Sequence, residues 1–361
     1  MQTIAVKISP KRTPLLRLRH RITGTVLDAR IRMKWNSDRK CLPLEEESWE
    51  IYSIIHRLFL HELGRFPNLV NCQDYNDKIQ WLKLFDQQLE IVRCSDKIAV
   101  RDYVQERLGI GFTPKLYQTA VDFDGIDFST LPESFVIKTN HDSGSVILVR
   151  DRSQLEMAST RDRINESLKV TYGWPNGEWA YSFIPPRVLV EEFIRPDQPK
   201  APPDYKFHCV DGKVRWLQFI YDRGHGAKEV ITDRMGVPMG LHLYEGMEHV
   251  ATFDPPPQLE ALATIAERLA RGWKYIRVDL FLDGGRIIVG ELTFYPGMGC
   301  YRGAGQPAIG KLLDFDRSSY RSAVVPKLKH LMMAGREKCD GQLPSLKRVR
   351  GLDVADSNPS E

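Results

Sequence analysis

Cysteine pairs at metal or redox spacing are missing from this chain. Its six cysteines (41, 72, 94, 209, 300 and 339) are scattered, with no Cys-x-x-Cys and no zinc spacing. That excludes a zinc ribbon or a thioredoxin-type redox motif, and reads as reduced thiols in a cytoplasmic protein. No apolar run approaches the roughly 18 residues that a membrane-spanning helix needs. The opening MQTIAVKISPKR turns charged too early to hold the apolar core of a signal peptide. Internal repeats are absent. So is any RNA- or DNA-binding signature, and no nucleic-acid partner is expected.

What is present is an ordinary globular composition. The 361 residues are 42% hydrophobic and 27% charged. That suffices for a packed core and for two or three domains or subdomains. Net charge is +4 but unevenly spread: residues 1–40 carry eleven Lys or Arg against Asp28 and Asp38. Such a stretch is either a solvated basic segment or an arm attracted to anionic lipid or an anionic polymer.

Residues 1–40 show weak apolar patterning. The spacing predicts helices over 45–62, with Trp49, Tyr52, Ile55, Leu58 and Phe59 on one side, and over 76–89. A third is predicted from Ser95, as N-cap, to Gly109, as the glycine past its last turn. From about 112 the texture becomes α/β. Strands are predicted over 115–119, 134–138, 145–149 and 187–193, with a polar helix over 152–170 and another helix over 257–272. Two hairpins turn at Asp211-Gly212 and at Asp283-Gly284-Gly285. Beyond 331 the chain is rich in Gly, Ser and charge and reads as a disordered tail.

In FVIKTNHDSGS, apolar residues run into Lys138 and then into a small polar loop. An ammonium at the end of a buried strand needs an anion, unless it snorkels to solvent. The second hairpin offers acids. With a three-residue loop at 283–285, Leu282 pairs with Arg286 and Asp279 with Val289. Arg277, Asp279, Glu291 and Thr293 then share one face, with Asp279 and Glu291 as diagonal neighbours roughly 7–8 Å apart. Two carboxylates on one face repel unless a cation lies between them, and Mg²⁺ takes one or two carboxylates plus phosphate oxygens. The alternative is a solvated face on which Arg277 pairs with one acid.

Along the chain stand Lys97 in SDK, the turn from Gly109 to Pro114, Lys138 in VIK, the acids of VEEF, Lys206 in DYK, then RVD and GEL. Three lysines and two acids are an inventory for holding a triphosphate with magnesium. This order resembles the ATP-grasp superfamily over about 95–300. RVDLFLDGGRIIVGELTFYPGMG resembles the D-alanine–D-alanine ligase end of it, with Thr293 where that superfamily usually has Asn as a metal ligand. A closer resemblance, over 67–315, is to the TupA-like ATP-grasp family of teichuronopeptide and capsule biosynthesis. PNLVNCQDYNDKIQWLKLFDQ, SDKIAVRDYV, FVIKTNHDSGS, PDYKFHCVDGK and ELTFYPG carry it. After Gly299, CYRGAGQPAIGKLL is unlike that family's usual tail.

The resemblance implies an α+β ATP-grasp fold, two α/β subdomains clamping ATP behind a helical N-terminal region. It divides the chain into the basic arm and helical region at 1–94, a small subdomain at 95–190, a large subdomain with the metal site at 191–330, and the tail at 331–361. It gives Lys97, Lys138 and Lys206 to the phosphates. Ser143, Gly144 and Ser145 would supply amides from a lid. His141 would touch phosphate or acceptor, or be structural. Glu191, Glu192, Phe193 and Ile194 would form the adenine hinge, the Glu192 carbonyl and Ile194 amide reading the adenine edge, and Asp197 would meet the ribose. Asp279, Glu291 and Thr293 would hold Mg²⁺. Arg277, with the Gly297 amide, would stabilise charge on the transferred phosphoryl group and on a tetrahedral intermediate. Trp174, Trp179, Tyr181 and Phe183 offer sugar stacking or core packing.

The implied activity is an ATP-dependent carbon–nitrogen ligase working through an acyl phosphate. It would attach an amino acid or amine to a uronic-acid carboxylate of a polysaccharide or its precursor. A sugar phosphotransferase of the same fold, a glycosyltransferase and a non-catalytic nucleotide-binding factor are the rivals. The implied partners are a nucleotide and a small-molecule or polysaccharide substrate. The basic arm adds an expected peripheral contact with anionic membrane or lipid-linked glycan at the inner membrane face.

Overall fold

The computed structural model describes residues 14–318 except 196, 198–201 and 223–225, and for 14–24 it describes the backbone alone. The predicted tail and the start of the basic arm lie outside the described residues. In order, the elements are α1 (Pro14–Asp38), α2 (Trp49–Leu63), α3 (Tyr75–Phe85), α4 (Glu90–Ser95), α5 (Val100–Leu108), β1 (Leu116–Ala120), β2 (Phe135–Thr139), β3 (Val146–Val149), α6 (Met157–Leu168), β4 (Val188–Glu191), β5 (Asp204–Val210), β6 (Lys213–Tyr221), β7 (Lys228–Thr232), β8 (Glu248–His249), α7 (Leu259–Ala270), β9 (Tyr275–Asp283), β10 (Arg286–Thr293) and α8 (Gln306–Leu312).

Two sheets carry the fold. One has the order β1-β4-β2-β3 and the other β10-β9-β5-β6-β7-β8. Every pairing is antiparallel except β7 with β8. The smaller sheet has its own core, in which Phe135, Ile137, Val188 and Val190 meet Phe123 and Ile164 of α6. The larger sheet shares one core with α7 and with the N-terminal helices. α7 turns Leu262, Ala266 and Leu269 inward at helical spacing.

The N-terminal region is more ordered than its patterning predicts. Residues 14–38 form one helix of 25 residues. Leu27, Ile31 and Trp35 recur at four-residue spacing, but dense charge around them hides the stripe. Trp35 packs edge-on to Trp49 and Tyr52 of α2, with ring centroids 5.5 and 4.7 Å apart. The helix predicted from Ser95 to Gly109 is two helices. Ser95 ends α4 and caps nothing; the Asp96 carboxylate instead accepts from the Ile98 amide at 2.8 Å and turns the chain into α5. Gly109 does end α5, at φ 91°. The predicted helix 152–170 is a short 3-10 turn followed by α6.

The β9–β10 hairpin corrects the assumed register. Its loop is Gly284-Gly285 alone, with φ of 53° and 89°, so Asp283 pairs with Arg286. Two consecutive positive φ values suit a tight turn matching strand twist. A bulge then falls at Gly290, between Val289 and Glu291. A Cβ at Gly290 would come within 2.5 Å of the Phe281 ring. The bulge sets Glu291 directly opposite Asp279, and Thr293 opposite Arg277. The four side chains share a face as predicted, but the acids are direct cross-strand partners rather than diagonal ones.

Candidate active site

Where the two sheets approach each other, a cavity of about 90 Å³ is lined by Lys97, Arg101, Lys138, Glu191, Ile194 and Glu291 among others. Lys138 leaves β2 and meets the Glu191 carboxylate of β4 at 2.5 Å. Val136 is the direct partner of Glu191, so Lys138 reaches it diagonally. Arg101 of α5 takes the other Glu191 oxygen at 3.2 Å. Lys97 sits in the α4–α5 bend and donates to the Asp142 carbonyl. Burial pushes its ammonium down in pKa, and the nearby Glu291 opposes that.

On the larger sheet a polar row crosses four strands. Glu291, Asp279, Lys206 and Gln218 are successive cross-strand partners on β10, β9, β5 and β6. Arg277 grips both oxygens of Asp279, at 2.6 and 2.8 Å, and donates to the Thr293 hydroxyl at 3.1 Å. Lys206 also donates to Asp279. Burial would push the Asp279 carboxyl up, but Arg277 and Lys206 outweigh it and hold it at about 2. Burial works against the charge on Arg277, yet Asp279 keeps the guanidinium strongly protonated. Such a fork suits a fixed orientation that lysine could not reproduce.

The loop after β2 is braced from inside. The Asp142 carboxylate accepts from the Thr139 and Ser145 hydroxyls. Ser145 therefore points its hydroxyl inward, while Ser143 and Gly144 stand exposed at the tip, Gly144 with φ 101°. Exposed backbone at a glycine can approach a ligand closely. His141 is buried against the Val170 carbonyl at 3.2 Å, and burial pushes its ring pKa down. It lies outside the residues that line the cavity, and its Nδ1 is buried without a hydrogen bond.

The predicted adenine-reading segment divides. Glu191 and Ile194 line the cavity. The Glu192 carboxylate holds Arg286 at 2.6 and 2.8 Å and accepts from the Lys115 amide at 2.9 Å, which leaves the predicted role of the Glu192 main-chain carbonyl untouched. The Phe193 ring lies 5.0 Å from the Arg150 guanidinium. Asp197 is exposed in the following loop. Gly297 and Met298, just past β10, both have left-handed backbone at φ 59° and 57°. Among the aromatics, Trp179 is buried in the core and Trp174 donates to Glu50 at 3.0 Å. Those two pack the fold.

Arg101, within SDKIAVRDYV, joins the site without having been expected there. Asn76, Gln80 and Lys83 of α3 were not expected either. Their signal is polar residues at helical spacing on a face that is buried.

Among the described residues, no group of three or more His, Cys, Asp or Glu stands close enough to hold a metal alone. The Asp279–Glu291 pair fits an ion of the other kind, one that completes its shell with phosphate oxygens. Glu291 is exposed to the cavity and free to turn toward such an ion. Asp279 would first have to give up Lys206.

No curated protein matches the chain. Solved structures similar to it include the D-alanine–D-alanine ligase of Bacillus anthracis complexed with ATP, at 18% identity and a TM-score of 0.36. That likeness covers 68% of this chain and 64% of the ligase. The L-amino acid ligase of Bacillus licheniformis is similar at 16% identity and TM-score 0.37, over 57% of this chain and 44% of that one. An N5-carboxyaminoimidazole ribonucleotide synthetase with ADP has 12% identity and TM-score 0.38, over 61% of this chain and 51% of that one. The chain thus spans less than two thirds of each, and likeness at that distance is silent on activity. A family pattern is more telling. The pattern described as TupA-like ATPgrasp matches residues 77–304, well over half of the chain. Those residues run from α3 through both sheets and the cavity between them, and on that match the chain belongs to the TupA-like ATPgrasp family.

Proposed function

We propose that this protein is an ATP-dependent carboxylate–amine ligase. One observation carries the reading. In a member of an ATP-grasp family, the cavity between the sheets gathers Lys97, Lys138 and Glu291, and the buried set Lys206, Asp279 and Arg277 continues from Glu291 on the same sheet face. Lys97, Lys138 and Lys206 take the phosphates of ATP, Lys138 exchanging Glu191 for phosphate. Ser143 and Gly144 close over them. Asp279 and Glu291, with Thr293 beside them, hold Mg²⁺, which when bound neutralises phosphate charge. Arg277, fixed by Asp279, aims its guanidinium where phosphoryl charge develops.

In the reaction, a substrate carboxylate oxygen attacks the γ-phosphorus of ATP, and ADP leaves. The amine nitrogen then attacks the acyl carbon, an N–H proton is lost, and phosphate departs with the former carboxylate oxygen. For the carboxylate we propose a uronic acid of a polysaccharide or its precursor, and for the nucleophile an amino acid or simple amine, working in the cytoplasm. Among the described residues, no helix is long and apolar enough to cross a membrane. We also propose peripheral contact of the basic arm with anionic lipid or a lipid-linked glycan. Less of its charge is free than the sequence count suggests. Arg32 and Arg39 both pair with Glu46, and Lys34 pairs with Asp38.

Incubation with ATP, Mg²⁺, glucuronate or galacturonate, and hydroxylamine tests the ligase. Hydroxamate formed together with ADP supports it. A phosphorylated sugar in place of hydroxamate overturns it in favour of a phosphotransferase.

A further inference from the structure

One face of α3 is unusual for a buried helix. Asn76, Gln80 and Lys83 lie on it at positions i, i+4 and i+7, and all three are buried. Polar groups this deep are costly unless their hydrogen bonds are made. All three reach main chain more than 200 residues away, and Lys83 also reaches Asn176, 93 residues away. Asn76 donates to the Tyr301 carbonyl at 2.7 Å and accepts from the Tyr301 amide at 3.0 Å. Gln80 donates to the carbonyls of Met298 and Gly299 at 3.0 and 2.8 Å. Lys83 donates to the Met298 carbonyl at 2.8 Å and to the Asn176 carbonyl at 2.9 Å.

The segment they hold is the turn after β10. Met298 is a non-glycine residue at φ 57°, next to Gly297 at φ 59°. Such a conformation persists only where its surroundings over-determine it. The packing agrees. A Cβ on Gly299 would meet Gln80 at 2.5 Å and Ile79 at 2.7 Å, and one on Gly297 would meet the Tyr301 ring at 2.6 Å. Contacts to main-chain carbonyls fix a backbone shape whatever its side chains. The turn begins four residues beyond Thr293, which itself touches Arg277. Lys83 also ties the turn to the 174–177 segment.

We propose that Asn76, Gln80 and Lys83 are positioning residues for the active centre. They hold the strained 297–301 turn, whose chain runs on from Thr293, the residue that accepts from Arg277. This rests on the ligase reading for its catalytic consequence, though not for its structural one. Burial pushes the Lys83 ammonium down in pKa, but Lys83→Met leaves the Met298 and Asn176 carbonyls without their donor, so some loss of stability is expected. Exchange at the turn compared with exchange in α7 separates a local loosening from a global one.

The test uses the full chain carrying Lys83→Met, Lys83→Gln or Gln80→Leu. In the hydroxamate assay, Lys83→Met should lower kcat about 100-fold, the scale of a small misplacement. KM for ATP should stay within about twofold, since the lysines that grip phosphate are untouched. Its melting temperature should fall modestly, with the folded state still fully populated at assay temperature, and Lys83→Gln, which keeps a donor, should recover part of the rate. Hydrogen exchange at amides 297–301 should rise in Lys83→Met and in Gln80→Leu while exchange within α7 stays as in wild type. Unchanged exchange at 297–301 in both variants overturns the proposal, as does unchanged kcat with a looser turn. If wild type forms no hydroxamate, the ligase reading fails, and the exchange data alone decide the positioning. Should Lys83→Met not fold, Gln80→Leu carries the same comparison.

Discussion

In the proposed function, Lys138 is the residue on which nucleotide binding would rest most heavily. Its ammonium is half-buried and meets Glu191 at 2.5 Å, a contact that phosphate can replace. Lys138→Ala should weaken ATP binding tenfold to a hundredfold, about 1.5–3 kcal/mol for one charge-assisted bond. Calorimetry giving wild-type affinity would remove Lys138 from the site. Glu178 gives a pH-dependent prediction. It is buried near Lys83, and burial pushes its carboxyl from 4.5 up to about 7, with Lys83 opposing. A carboxyl raised in the folded state adds stability that is complete below pH 4.5 and is lost as pH rises through 7. Glu178→Gln removes that loss. The variant should exceed wild type at pH 8 by roughly 1–3 kcal/mol in urea melts, a figure reduced for the coupling to Lys83. The gap should shrink by more than half at pH 5; an equal gap at both pH values would contradict the origin assigned to it.

At the scale of elements, the β9–β10 hairpin decides whether the acids meet. Its face assignment was legible in RVDLFLDGGRIIVGELT because alternation and a Gly-Gly turn are local signals. The register was not, because a two-residue loop and a bulge at Gly290 differ from a three-residue loop only through packing against Phe281. Gly290→Ala would drive a Cβ to within 2.5 Å of that ring. It should destabilise by about 1–3 kcal/mol, as overpacking does, and move Glu291 off Asp279. ADP formation should then fall well beyond what the loss of folded protein explains. Release of ADP within twofold of wild type, with the fold intact, would show that the bulge does not set the acids. The α4–α5 bend was missed for a similar reason: Asp96 and Ser95 are both capable caps, and only the fold chooses between them. α1 was missed because charge obscured a three-residue apolar stripe.

At the scale of the whole molecule, the two-sheet fold and the convergence of Lys97, Lys138 and Glu291 on one cavity could be read from the order of the motifs. The grip of α3 on the turn after β10 could not. Asn76 and Tyr301 are 225 residues apart, and nothing local to either announces the other. Nor does sequence reveal how closed the cleft is. Ligand pockets usually offer roughly 300–1,000 Å³, against about 90 Å³ between the sheets. Each sheet has its own core, and the proposed function requires the two to part and Lys138, Arg101 and Glu191 to exchange partners when a nucleotide binds. What unites these parts is one claim: a carboxylate is activated by phosphorylation. It is tested most directly with a substrate carboxylate labelled with ¹⁸O, turned over with ATP and an amine, and the released phosphate examined by mass spectrometry. Activation through an acyl phosphate predicts one ¹⁸O in each phosphate formed. Unlabelled phosphate, with all the ¹⁸O retained in the sugar product, would contradict it.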